Sequence, residues 1–278
     1  MVTPHRFKYD GIFSNELNIP DLITCVAFDS DSGDVETRLA REAVSSESFD
    51  GRYKRTHQYK YTETFGCTFT LMKSNFGDFT QEEVRTVLKW LTQKDTTALL
   101  EVYYDDSNVV SWASIGGFVN LSLRKLANHR TVAIIAEWDS VHPFCLSDLH
   151  TVTKAINSLD NKITIEIDTD DNKPIYPRIT IQQKGTAGDV KITNQHYDFF
   201  NKASAPVVTT IKNNGQTEKI IVDGANKIIS SSNTNRIFGD DFVGWTWLPL
   251  YDGKNELTVV GNCEIKLEYR TVIKCGEY

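Results

Sequence analysis

Phe79-Thr80-Gln81-Glu82-Glu83-Val84-Arg85-Thr86-Val87-Leu88-Lys89-Trp90-Leu91-Thr92-Gln93 is the stretch on which the fold turns. Thr80 is placed to cap a helix, and Glu83, three residues on, to return the bond, which makes a capping box. Phe79 before the cap and Val84 four places into the helix supply the two halves of a hydrophobic staple. Val84, Val87, Leu88 and Leu91 fall at i, i+3, i+4 and i+7, one apolar stripe. Glu82 and Glu83 sit at the positive end of the helix dipole and Lys94 near the negative end. The spacing predicts an amphipathic helix over residues 80–93, about 21 Å long, able to cover one face of a small sheet.

Both flanks of this helix read as β sequence. Residues 7–9 and 22–28 are strand-like and are separated by a turn-rich stretch. Residues 29–51, with Asp29, Asp31, Asp34, Ser45, Ser46 and Ser48, read as a long polar loop, either a partner contact or a surface excursion. Residues 52–73 read as extended strand, with Thr62, Thr64 and Thr68 alternating loosely with Phe65, Cys67 and Phe69. Arg52, Lys54, Arg55, His57 and Lys60 are interleaved there with Tyr53, Tyr59 and Tyr61. That mixture can bind nucleic acid, but in an acidic chain without a stacking module it reads as the solvated face of a strand. Downstream, residues 98–104, 109–126 and 131–139 are strands, with Gly116-Gly117 marking a bulge or close approach. The first half is therefore expected to be a β-sandwich with one packed helix.

The second half has no helical pattern. Short strands are expected at 162–167, 178–182, 190–193, 207–211, 219–222, 227–230, 256–260 and 263–272, a spacing typical of a β-sandwich. A boundary within 143–149 divides the chain into domains 1–146 and 147–278. The absence of a Gly/Ser linker predicts a rigid junction.

A net charge of −7 over 278 residues argues against a general nucleic-acid or membrane binder, which would be basic. The N-terminus lacks the apolar core of a signal peptide, and no apolar run approaches a membrane span. Export is thus expected through cell lysis or within an assembled particle. Five scattered cysteines without a CxxC pair suit reduced thiols; Cys263 and Cys275 are the only pair close enough to suggest a disulfide.

The sequence holds no nucleophile elbow, P-loop, dinucleotide fingerprint or HExxH. None of the six histidines has zinc-ligand spacing. Asp168-Thr169-Asp170-Asp171-Asn172 begins like a calcium loop but lacks the sixth-place glycine, and Ile179 stands where the closing Glu belongs. Trp245, Trp247 and Tyr251 form an aromatic group that fits a sandwich core, a partner contact or stacking on sugar rings. No catalytic residue, cofactor or metal is assigned.

Several stretches in order resemble the distal tail protein family of long-tailed bacteriophages. They are Phe7-Lys8-Tyr9-Asp10-Gly11 with Ser14 and Leu17; residues 63–71 with 79–84 and Trp90-Leu91; Glu137-Trp138-Asp139 with His142-Pro143-Phe144; and Pro249, 253–257, Glu268-Tyr269-Arg270 and 272–278. The resemblance implies a tail-tube-like first domain that closes into a hexameric belt around a channel, and a galectin-like or carbohydrate-module-like second sandwich. It implies a virion component at the tail tip, made in the host cytoplasm and not an enzyme. The expected partners are tail tube, tape measure, tail-tip or tail-associated lysin, and receptor-binding or baseplate proteins, with genomic DNA passing through unbound. Asp29, Asp31, Asp34, Arg52, Trp112, Phe118 and Arg124 are the expected intersubunit contacts. The alternatives are a sugar-binding adhesion module using Trp245, Trp247 and Tyr251, and a cell-wall hydrolase.

Overall fold

The computed structural model describes residues 4–27, 41–47, 54–104, 108–126, 129–157, 161–195, 206–236, 242–243 and 247–274. It resolves into two compact units, residues 1–148 with 273–278, and residues 149–272. The second boundary differs from the expected one, because the chain returns to the first unit at its end. Ile273 packs against the first unit's core.

The first unit runs β1 (Pro4–Tyr9), β2 (Ile12–Phe13), a 3-10 turn, β3 (Leu22–Ala27), β4 (Arg41–Glu47), β5 (Lys54–Tyr61), β6 (Gly66–Lys73), α1 (Gln81–Thr92), β7 (Ala98–Tyr104), β8 (Trp112–Lys125), β9 (Thr131–Ser140) and β10 (Cys145–Leu146). The predicted helix forms with the predicted cap. The Glu83 backbone N–H donates to Thr80 Oγ1 at 3.2 Å, and the Thr80 N–H donates to Glu83 Oε2 at 2.7 Å. Val87 and Leu91 are buried, with Val84 and Leu88 packed beside them.

The main sheet is antiparallel in the order β2-β1-β7-β8-β9-β6-β3. Strands β1 and β6 are four places apart in that order, roughly 19 Å in a flat sheet. Yet the rings of Phe7 on β1 and Phe69 on β6 lie 4.8 Å apart. The single sheet therefore curls so that its two ends face each other across one core. Helix α1 closes that core: Trp90 stacks on Phe7 at 5.0 Å and its indole N–H donates to the Tyr9 carbonyl at 3.4 Å.

The glycine pair Gly116-Gly117 turns out to mark a close approach, and the bulge in β8 falls beyond it, between Phe118 and Asn120. Gly116 is a close approach: an added Cβ would lie 2.1 Å from the Asp139 carbonyl oxygen. Residues 52–73 depart from expectation, splitting into β5 and β6, which belong to different sheets. β5 pairs instead with β4, inside the stretch expected to be loop, from Arg41↔Tyr61 to Glu47↔Lys54. Strand β4, Arg-Glu-Ala-Val-Ser-Ser-Glu, carries almost no apolar alternation, so its pairing leaves no sequence signal.

The second unit comprises β11 (His150–Ile156), β12 (Lys162–Ile167), β13 (Arg178–Gln183), β14 (Gly188–Asn194), β15 (Val207–Asn214), β16 (Lys219–Asp223), β17 (Ile228–Ser231), β18 (Phe242–Val243), β19 (Gly253–Val260) and β20 (Cys263–Tyr269). Two five-stranded sheets, β11-β20-β13-β16-β17 and β12-β19-β14-β15-β18, make a sandwich. Alternation is strict: Ile163, Ile165 and Ile167 are buried between exposed Lys162, Thr164 and Glu166. Ile179, Ile181, Val190, Ile192, Leu257, Val259, Ile265 and Leu267 fill the same core. After β20, the short β21 (Val272–Ile273) pairs with β10.

Candidate assembly surfaces

The β4–β5 hairpin is a two-stranded sheet separate from the main one. Its root is held by aromatic contacts. The Arg41 guanidinium lies 6.0 Å over Tyr61, Tyr61 meets Phe144 edge-on at 6.0 Å, and Phe144 stacks with His142 at 5.8 Å. Burial lowers the His142 pKa, because the charged imidazolium is disfavoured away from water. The strands are roughly 23 and 26 Å long, and an isolated two-stranded hairpin is marginal in water. Among the described residues the hairpin pairs with no other strand, which sets it apart as an arm.

At the opposite end of β6, the β6–α1 turn presents Phe76, which is 79% exposed with φ +55°. No pattern in the sequence picks this residue out. Its one signal is an aromatic set among the turn formers Ser74, Asn75, Gly77 and Asp78.

Several expected contact residues lie elsewhere. Asp29, Asp31, Asp34 and Arg52 lie outside the described residues. Trp112 is 2% exposed, meets Phe65 edge-on at 5.4 Å, and donates its indole N–H to the Tyr104 hydroxyl at 3.0 Å. Phe118 is surrounded by Tyr9 and Trp138, each 5.1 Å away, and by Phe69 at 5.6 Å. Both aromatics pack in their own unit's core, where their large apolar area is worth most. Arg124 is exposed near the end of β8, on the same hairpin.

In the second unit's aromatic group, Trp247 and Tyr251 are both engaged within the unit. Trp245 lies outside the described residues. Trp247 packs against the sandwich core, and Lys227 Nζ sits 5.1 Å over its ring and 3.4 Å over the Tyr176 ring. The ammonium occupies the face a sugar ring would need. Tyr251 is half-buried, and its backbone is clamped by Asn255, whose Oδ1 accepts from the Tyr251 N–H at 2.9 Å and whose amide donates to the Tyr251 carbonyl at 2.6 Å.

A buried ion pair, also without a signature in the sequence, organises one end of this unit. Arg236 Nε donates to Glu218 Oε1 and Nη2 to Oε2, both at 2.6 Å, with the side chains 2% and 3% exposed. The Gly215 N–H and the Ser231 hydroxyl also donate to Glu218, and Arg236 donates to the Lys212 and Asn213 carbonyls at 2.8 Å. The Arg236 bond, with Ser231 and Gly215, holds the Glu218 carboxyl at a pKa of about 2 against the opposing effect of burial.

Asp168–Asn172 forms a turn after β12: the Asp170 N–H donates to the Val272 carbonyl at 3.0 Å and the Thr169 N–H to Asp252 at 3.2 Å. Cys25, Cys67, Cys145 and Cys263 are in the thiol form, and burial pushes the Cys263 pKa up to about 11. Cys275 lies outside the described residues.

Family models agree with this division. A phage tail protein N-terminal domain matches residues 2–115, and a phage tail C-terminal domain matches residues 144–269. No curated protein matches the chain by sequence. Among solved structures, the chain is similar to SPP1 Dit (gp 19.1), described as a paradigm of the hub adsorption apparatus in Gram-positive infecting phages. The TM-score is 0.60 at 11% identity, over 95% of this chain and 98% of that one. It is also similar to a chain of the phage P2 baseplate in its activated, calcium-containing conformation, with a TM-score of 0.53 at 8% identity over 99% of each. One domain model matches each half, in chain order, and the hub fold runs through nearly the whole length: the chain belongs to the phage tail protein family, with the fold of a distal tail protein.

Proposed function

We propose that this protein is the structural hub of a phage tail tip: six copies close into a ring that joins the tail tube to baseplate or tip proteins and lets the genome pass. The observation that carries the reading is a fold similar to a hub of the adsorption apparatus over nearly the whole chain, with the β4–β5 arm as a two-stranded sheet separate from the main one. A closed ring of head-to-tail contacts gives such an arm a partner surface in every subunit. The acidic chain suits a conduit for DNA, because like charge keeps phosphates from adhering. The work is architectural and involves no catalysis. Partners along the tail axis are the tube and tape measure on one side and the tip, lysin or receptor-binding proteins on the other. The alternative of sugar adhesion through Trp247 has Lys227 against it.

Electron microscopy of intact particles, with the chain labelled by a specific antibody fragment, tests the reading. A six-fold collar around the tail axis is expected. Label anywhere else on the particle, or a collar of another symmetry, overturns it.

A further inference from the structure

We propose that Asn214-Gly215 is a latent self-modification site: the Gly215 nitrogen cyclises onto the Asn214 carboxamide, and the Glu218–Arg236 pair holds that reaction off in the folded chain. The inference is independent of the hub reading above.

Asn-Gly occurs once in the 278 residues, at 214–215. Glycine leaves its backbone nitrogen unshielded by a side chain, so this dipeptide closes on itself more readily than other asparagine pairs. In the reaction a bond forms between the Gly215 nitrogen and Asn214 Cγ. The Gly215 N–H proton passes to solvent base, the Cγ–Nδ2 bond breaks, and ammonia leaves. Water then opens the cyclic imide, giving aspartate or isoaspartate at 214. No oxidant, reductant or enzyme enters.

The fold restrains both reacting groups. The Gly215 N–H donates to Glu218 Oε2 at 2.7 Å, and the Glu218 N–H donates back to the Gly215 carbonyl at 3.1 Å. On the other side of Asn214, Arg236 Nη2 donates to the Asn213 carbonyl at 2.8 Å. The two halves of one ion pair therefore grip the peptide planes before and after Asn214, against the rotation that brings the nitrogen to Cγ. The turn is pinned in its own right to β13, where the Gln183 N–H donates to the Glu218 carbonyl at 2.9 Å and the Gln182 amide to the Thr217 carbonyl at 2.6 Å. The carboxamide is anchored separately, its Nδ2 donating to the Ile211 carbonyl at 3.2 Å. Its Oδ1, where negative charge grows as the ring closes, is buried and accepts no hydrogen bond among the described residues.

Conversion is one-way and has a structural consequence. Asn214 is 1% exposed, so the product buries a carboxylate next to the turn that holds Glu218, with Arg236 already engaged. Isoaspartate also lengthens the backbone at the residue paired with Gly188. Each local opening of this end of the second unit is thus an opportunity for permanent weakening.

Peptide mass spectrometry of the full chain in mildly alkaline buffer, with an enzymatic assay for isoaspartate, tests this. In urea, Asn214 should convert faster than every other asparagine. Gly215→Ala, whose methyl meets only ordinary contact with Glu218, should slow that conversion at least several-fold. In the folded wild type, conversion should be many-fold slower than in urea. Glu218→Ala should convert several-fold faster than Val222→Ala, a core variant that leaves the Gly215 bond intact, when urea brings both to the same unfolded fraction. Should Glu218→Ala not fold, Ser231→Ala, which removes one donor from the carboxylate, takes its place. Another asparagine converting first in urea, or folded wild type keeping pace with the unfolded chain, overturns the proposal. Equal rates in Glu218→Ala and Val222→Ala mean that global stability, not the ion pair, guards the site, and overturn it as well.

Discussion

Glu218 shows how one buried charge can hold several chain segments together. Its carboxylate receives Arg236, Ser231 and Gly215, and Arg236 in turn reaches two carbonyls of the β15–β16 region. Replacing Glu218 with Gln leaves the guanidinium buried without its counter-charge, and losses of roughly 3–5 kcal/mol follow from that arrangement. Urea unfolding of the variant should show the second unit destabilised by that order. The carboxyl pKa is about 2 in the folded chain against an ordinary 4.5. A depressed acid stabilises the fold above its unfolded pKa and loses that contribution as pH falls. The second unit should therefore weaken by roughly 3 kcal/mol as pH drops from about 4.5 toward 2, and Glu218→Gln should lack that pH dependence. Trp112 and Phe118 carry the opposite lesson at this scale. An aromatic that the sequence offers to a neighbour is taken up by its own core.

At the scale of the element, α1 and the β8–β9 pair fold for different reasons. The helix is locally encoded, with cap, staple and stripe all within fifteen residues. Lys73 joins the cap from the preceding strand, its ammonium 2.8 Å from Glu83. The β8–β9 pair depends on a long-range fit at Gly116, where the Asp139 carbonyl fills the space of a side chain. Gly116→Ala should destabilise the first unit by roughly 1–3 kcal/mol through forced backbone displacement, measurable as a lowered melting midpoint. An unchanged midpoint would mean that the strands are not held at this spacing. The arm β4–β5 differs from both. In its register Glu42 stands opposite Lys60 and Glu47 opposite Lys54, residues of opposite charge at facing positions.

For the whole molecule, the return of the chain at Ile273 makes the first unit discontinuous. Ile273 packs against the first unit's core although it follows the second in sequence. Ile273→Ala should thus lower the stability of the first unit and leave the second nearly untouched. In differential scanning calorimetry, it should move the transition that Gly116→Ala moves and spare the one that Glu218→Gln moves. A shift of the Glu218-sensitive transition instead would contradict the assignment of Ile273.

Local pattern determined α1, its cap, the close approach at Gly116-Gly117 and most strands of the second sandwich, because each is marked by residues within one turn or one strand of alternation. The order of family-like stretches also identified the chain, and the fold bears that out. Only the tertiary structure decided that one sheet curls to make the first core, and that β5 leaves this sheet to pair with β4. It also decided that β11 forms at all, that Lys227 covers Trp247, and that Phe76 stands out at the far end. These outcomes rest on contacts between residues distant in sequence, or on strands without a buried face. There, neither periodicity nor turn chemistry leaves a mark, and the partner, not the local pattern, sets the conformation.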